Sequence, residues 1–367
     1  MLLIIFLFSC QQGLDIDYEE LATVCPTTTS FTTDVTMIND SIACMTSYSS
    51  KHVRKSGYKK ERTRIGNVDV IKYNSDGYSI LNSTQKFPNI TSVFHDNDDN
   101  IFLIDGYIHK DSLEQNQYDD FPKYIDYYQK IYKSDNYGKT WNEMSVLPAN
   151  TICTEVTNNG DIFITVNVNS YAGYGVYKSK DGGRTWLNMS RGLPVTPKID
   201  FLYSNTNDRL FAVVEKQLFV SDTYGYMWEL LRTHDMEFSQ IYNYDKSSIY
   251  IGMKKCINSE SPVNLYLSQD YGMTWDFWME FKHDDEVGHL ITDYVVDSKG
   301  KLILGMTPYG LLTPGLEENT FQSIDKEYAY KFLVEDLEIN SEDILLVATT
   351  TNGLLIFDLN EIEMGDN

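Results

Sequence analysis

From about residue 65 onward the chain alternates short apolar runs with clusters of Asn, Asp, Gly and Ser, the pattern of a meander of short β-strands. One recurring element is a polar turn followed by an apolar strand. It occurs as Asn97-Asp98-Asp99-Asn100 before Ile101 to Ile104, Asn158-Asn159-Gly160-Asp161 before Ile162 to Val166, and Asn205-Thr206-Asn207-Asp208 before Leu210 to Val214. It returns as Asp245-Lys246-Ser247-Ser248 before Ile249 to Gly252, Asp297-Ser298-Lys299-Gly300 before Leu302 to Leu304, and Asn340-Ser341-Glu342-Asp343 before Ile344 to Ala348. Upstream, Asp76-Gly77 between Val68 to Tyr73 and Tyr78 to Leu81 reads as a hairpin turn.

A second element interleaves with the first. Ser179-Lys180-Asp181-Gly182-Gly183-Arg184-Thr185-Trp186 has relatives in Ser134-Asp135-Asn136-Tyr137-Gly138-Lys139-Thr140-Trp141, Ser221-Asp222-Thr223-Tyr224-Gly225-Tyr226-Met227-Trp228 and Ser268-Gln269-Asp270-Tyr271-Gly272-Met273-Thr274-Trp275. Its Gly permits positive φ, its Ser and third-position side chain bond turn amides, and its Trp is a large apolar wedge. Asn136 and Thr223 replace the Asp of the other copies and still accept an amide hydrogen bond.

Each unit thus reads as strand A, the polar turn, strand B, a connection, strand C, the Ser-to-Trp turn and strand D. Four strands in about 45 residues make one blade of a β-propeller. Six units fit between Phe87 and Leu359, the last (Phe332 to Ile339, Ile344 to Ala348, Gly353 to Leu359) ending before its strand D. The expectation is an all-β propeller over residues 61–367 with six blades, a strand of the 67–84 hairpin filling the vacant place. Seven is the alternative if that hairpin begins a blade of its own.

The repeated turn resembles the Asp-box, or BNR repeat, of sialidases, sortilin-type receptors, photosystem assembly factors and xyloglucanases. The resemblance covers roughly residues 87–362 and implies a structural turn far from the active face for the box residues, among them Ser134, Asn136, Gly138, Trp141, Ser179, Asp181, Gly183, Trp186, Ser221, Gly225, Trp228, Ser268, Asp270, Gly272 and Trp275. A sialidase also needs three arginines for its substrate carboxylate, a Tyr–Glu nucleophile pair and an acid/base Asp. The first arginine belongs to a Phe/Tyr-Arg-Ile-Pro motif, and Phe87-Pro88-Asn89-Ile90-Thr91-Ser92-Val93 occupies its place without one. Thr63-Arg64-Ile65-Gly66 is a degenerate match one hairpin too early, and Arg184, Arg191 and Arg209 sit in or beside turns.

In a four-stranded meander the A–B and C–D turns share one face and the B–C and D–A connections the other. The long B–C loops therefore project away from the boxes. The longest, Tyr107 to Lys130, carries Tyr118, Asp119, Asp120, Phe121 and Tyr124; another carries Tyr171 and Tyr174, and a D–A connection carries His283. Tyrosines beside carboxylates suit a glycan or a protein partner, and the alternative is that they pack the insertion onto its own blade.

Charge and termini refine this picture. Thirty basic against 53 acidic side chains leave −23 on 367 residues, which argues against nucleic acid as partner. The start, Met1 to Cys10, is an apolar run too short to span a bilayer; Leu7-Phe8-Ser9-Cys10 resembles a bacterial lipobox with Cys10 as the lipidated residue, although no Lys or Arg precedes it. Residues 11–60, with Thr27-Thr28-Thr29-Ser30 and a basic run, read as a tether to the membrane. Cys25, Cys44, Cys153 and Cys256 remain, and Cys25 with Cys44 is the easiest disulfide, free thiols being the other reading. His283 and His289 do not make a metal site, and no phosphate loop, nucleophile elbow or Cys–His pairing implies a cofactor.

The function expected is therefore that of an exported, lipid-anchored binding module of the bacterial cell envelope, taking a glycan or a protein. Two alternatives stand beside it. One is a divergent glycoside hydrolase with two carboxylates and no arginine clamp; the other is an assembly factor of the photosystem type.

Overall fold

A computed structural model describes residues 31–54, 60–75, 77–87, 89–118, 120–121, 127–148, 151–166, 175–194, 199, 201–204, 208–214, 216–233, 237–243, 249–254, 263–268, 270, 274–281, 290–307, 310–314, 321–324, 333–350 and 353–361. They form an all-β propeller of antiparallel meanders, each sheet running in strict sequence order. Six sheets have four strands: blades 1 (31–84), 2 (90–148), 3 (151–188), 4 (201–233), 5 (237–281) and 6 (290–323). A seventh, 334–358, has three. The first strands of successive blades touch one another all the way round, the seventh against the first.

The six units counted from Phe87 are each a sheet, with the last one short of strand D as its sequence implies. The 67–84 hairpin does not fill that place. It pairs Asn74 with Gly77 at its turn and forms the outer half of blade 1, whose inner half is Phe31–Asn39 and Ile42–Arg54. The hairpin thus belongs to a blade of its own, the arrangement of the seven-blade alternative, and the tether read over residues 11–60 gives way to strand at Phe31. Polar Thr and Ser in these strands hid the alternation. Residues 1–30, with Cys10 and Cys25, lie outside the described residues.

In blades 3, 4 and 7 the second strand is apolar on both faces. Ile162–Val166, Leu210–Val214 and Ile344–Thr349 are buried at every position, because a neighbouring blade covers each side of the sheet. The core is accordingly a series of sandwiches between blades. Met45, Ile71 and Tyr73 of blade 1 pack on Leu346, Ala348 and Ile356 of blade 7, so the ring closes by face-to-face packing of its first and last sheets. Cys44, fully buried between blades 1 and 2, is a free thiol.

Two hoops of polar bonds stitch neighbouring blades. On the channel side, first strands carry β-bulges before Asp34, Asp293 and Asp336, and bulges re-aim the side chain that follows. Each of these carboxylates accepts from an amide of the next blade: Asp34 from Val93 N, Asp293 from Leu337 N and Asp336 from Val35 N, all at 2.9 Å. On the turn side, Asp99, Asp208 and Asp343 adopt φ near +60° and reach back to the preceding blade. Asp208 accepts from Asn158 N at 2.7 Å, Asp343 from Ser298 N at 2.7 Å, and Asp99 from Asn39 Nδ2 at 3.1 Å. Asp40 takes the corresponding bonds from Asn340 and Ser341 where blade 7 meets blade 1.

Candidate functional site

The boxes are structural turns. In the copy at 179–186, Ser179 Oγ accepts from Gly183 N and donates to Asp181 Oδ1, both at 2.8 Å, while Asp181 accepts from Thr185 N at 2.9 Å and Thr185 Oγ1 at 2.6 Å. Ser134 with Asn136 and Ser268 with Asp270 repeat the pattern, and Thr223 substitutes by accepting from Met227 N at 2.9 Å. Partial burial works against the Asp181 anion, yet the bonds from Thr185, Ser179 and the Arg184 amide hold its carboxyl below the ordinary value, a poor position for a proton donor. The described box glycines also abut the preceding blade. A Cβ on Gly225 (φ +84°) would stand 2.9 Å from Phe163 Cε1, and one on Gly138 would stand 2.8 Å from Val70 Cγ2. Gly272 lies outside the described residues.

The long insertion of blade 2 does not project as a free loop at its far end. Phe121 is buried, its ring 5.0 Å from that of Tyr177 in the core between blades 2 and 3, and Asp120 accepts from the Trp186 amide at 3.2 Å. These two residues dock the insertion onto blade 3, which removes Phe121 from any binding face and gives the packing alternative its due. Tyr118 ends the short 3-10 turn Gln115–Tyr118. Asp119, Tyr124, Tyr171, Tyr174, His283 and His289 lie outside the described residues.

The first strands carry half-buried acids that no sequence motif announces. Burial, then the neighbouring Asp336, push the carboxyls of Asp34 and Asp293 well above the ordinary range. Burial pushes Glu155 up to about 7, against a 2.6 Å bond from Ser204 Oγ in the next blade. Glu155 has a hydroxyl partner rather than a second acid, and no group of three or more metal-binding side chains is present among the described residues.

A groove of about 720 Å³ opens on the face that carries the boxes, between blades 2 and 3. Its walls are the A–B turns and boxes of both blades, which confirms that the two turn types share a face. Asp98 and Asp135 are exposed on the blade 2 wall, and Lys180 and Arg184 on the blade 3 wall. The other acids at its rim are committed: Asp96 clamps the Asp98 and Asn100 amides at 3.0 Å each, Glu143 pairs with Lys130, and Asp181 holds its box. Met144 is the lone apolar side chain in the lining. Beyond Lys180 the surface continues to exposed Tyr226, whose ring lies 6.0 Å from Lys180 Nζ.

Fold, turn geometry and sequence comparison agree. The family model of the BNR-Asp box repeat matches residues 131–144, the box of blade 2. The chain is a β-propeller built on BNR-Asp box repeats. No curated protein matches it by sequence. Among solved structures it resembles YCF48 bound to D1 peptide (13% identity, TM-score 0.59, covering 93% of this chain and 98% of that one). It also resembles the extracellular domain of a putative one-component system from B. thetaiotaomicron (10% identity, TM-score 0.58, 92% of this chain, 40% of that one). A third is the GH74 xyloglucanase from Xanthomonas campestris (14% identity, TM-score 0.57, 86% of this chain, 54% of that one). The chain thus spans about half or less of the last two, and at these identities the likeness is one of fold. No described helix is long and apolar enough to cross a membrane.

Proposed function

We propose that this propeller is a non-catalytic binding module whose partner is a protein segment carrying both signs of charge. The observation behind this reading is the groove between blades 2 and 3, with Lys180 and Arg184 facing Asp98 and Asp135 across an open cleft. Its volume falls within the roughly 300–1,000 Å³ of ordinary ligand clefts. The described lining offers no aromatic platform for a sugar and many hydrogen-bonding groups for a backbone, so a peptide fits it better than a glycan. The structural likeness to a propeller solved with a peptide, and to extracellular domains, is in keeping with a protein partner outside the cytoplasm. Export with a lipid on Cys10 completes the reading; Cys10→Ala should move the protein from the membrane fraction to the soluble one, and an unchanged distribution rejects the anchor.

Panning a displayed random-peptide library on the full chain tests the binding site. Peptides that place an acidic residue near a basic one should be enriched, and the double substitution Lys180→Glu with Arg184→Glu should weaken them about tenfold, since two rim charges each contribute roughly 0.5–1 kcal/mol. Equal enrichment on wild type and variant would remove the groove from the reading. A glycan array run in parallel, with turnover of any bound oligosaccharide, would replace the reading with the glycosidase.

A further inference from the structure

We propose that the central channel contains a proton-holding clasp, formed by Asp293, Asp336 and Asp34, that joins blade 7 to blades 6 and 1 and loosens as pH rises. Asp336, on the first strand of blade 7 (Val334–Ile339), stands between Asp293 of blade 6 and Asp34 of blade 1, and both neighbours are hydrogen-bonded to its side chain. An ionised carboxylate has no proton to donate, so two carboxyls share a hydrogen bond only when one of them is protonated. The row Asp293, Asp336, Asp34 is therefore assembled only with protons in it. Each member of the row is also fastened to backbone: Leu337 N donates to Asp293, Val35 N to Asp336 and Val93 N to Asp34.

Among the described residues the surroundings give the row no counter-charge. Glu335 and Glu338 on the same strand and Cys44 of blade 1 are the other titratable groups that interact with it, and none is a cation. Burial and then Asp336 raise Glu338 as well. Stripping the protons would leave two or three like charges side by side at half-buried positions between blades, where repulsion is less screened than on an open surface.

The direction of the effect follows by linkage. Asp34 and Asp293 have raised values in the folded protein, so there they hold protons at pH values where the unfolded chain has released them. The clasp's contribution is complete below the ordinary carboxylate range, which for Asp begins near 3.8, and is lost as pH climbs through the raised values. This contact lies where the ring closes, at blade 7, which among the described residues has three strands against four in every other blade. Deprotonation therefore acts on the seam between the first and last sheets.

The test is the Tm of the full chain between pH 5 and pH 9 for wild type, Asp336→Asn and Asp98→Asn. Asparagine at 336 keeps an acceptor for Val35 N and supplies its own donor, while Asp98→Asn removes the same unit of charge from an exposed turn. Wild type should melt lower with rising pH, Asp336→Asn should flatten that slope, and Asp98→Asn should leave it. An unchanged slope in Asp336→Asn, or equal flattening in Asp98→Asn, overturns the clasp. Hydrogen exchange at the Val35 and Leu337 amides of the wild type keeps the test decisive if Asp336→Asn does not fold. Corrected for intrinsic rates, it should be about tenfold faster at pH 8 than at pH 5, and no change would equally refute the clasp.

Discussion

Trp186→Ala is expected to destabilise the protein by about 3–5 kcal/mol, the range for deleting a buried aromatic side chain. The indole is 5% exposed and belongs to the core that blade 3 shares with Phe94, Ile131 and Val146 of blade 2. Its Nε1 donates to Ser145 Oγ at 3.1 Å, so the substitution empties a wedge and breaks a bond between blades. Neighbouring blades hold the walls of this site apart, which limits collapse into the void. Trp141 is only half-buried and its Nε1 lacks a partner, so Trp141→Ala should cost less. Urea unfolding of both variants checks the order. A Trp186→Ala midpoint indistinguishable from wild type would show that the box Trp does not cement adjacent blades.

The blade count from Phe87 onward was legible because each unit carries two independent punctuation marks. A polar turn precedes the buried second strand, and a Gly-and-Trp turn follows the third. Blade 1 has only a shortened form of the first mark and lacks the second. Its turn at Asn39 to Ser41 is short, its outer hairpin lacks a box, and Thr32, Thr33, Thr36, Thr46 and Ser47 break the apolar pattern. Thr46 and Ser47 are nonetheless buried. Threonine and serine in a central sheet read as linker in a sequence, and only the neighbouring blade reveals that the strand is covered.

The candidate site was less legible, for a related reason. Loop length predicted where the insertion of blade 2 leaves the sheet but not that Asp120 and Phe121 would return to Trp186 of the next blade. The groove draws its residues from four turns in two blades, each of which alone looks like a solvated turn. The interblade aspartates had a faint signal. Asp99, Gly160, Asp208, Gly300 and Asp343 all take positive φ shortly before a buried strand, and Gly and Asp are the residues that tolerate that conformation. Their recurrence was visible; their reach across the blade gap was not.

Asp161→Ala should cost about 3–5 kcal/mol, as expected when one partner of a buried ion pair is removed. Lys178 is an outlier in its strand, Gly175–Ser179, which is otherwise uncharged and buried throughout. Its side chain is 3% exposed and its ammonium is paired with Asp161 at the foot of the same blade. The ammonium also lies 4.9 Å from the Phe163 ring and reaches the Tyr224 carbonyl of blade 4 at 3.5 Å. Tyr224 has φ +54°, a strained conformation for an aromatic residue, so this lysine fastens a strained turn to the preceding blade. Removing the carboxylate leaves a desolvated ammonium with only the faces of Phe163, Tyr224 and Tyr226 and one carbonyl. Adding Lys178→Met to Asp161→Ala removes that charge while keeping an unbranched apolar stem against Phe163, and should bring the protein back to within about 1–2 kcal/mol of wild type. A double-mutant cycle by urea unfolding separates the outcomes. If the double variant is no more stable than Asp161→Ala, the cost lies in the lost turn contacts of Asp161 and not in a stranded charge.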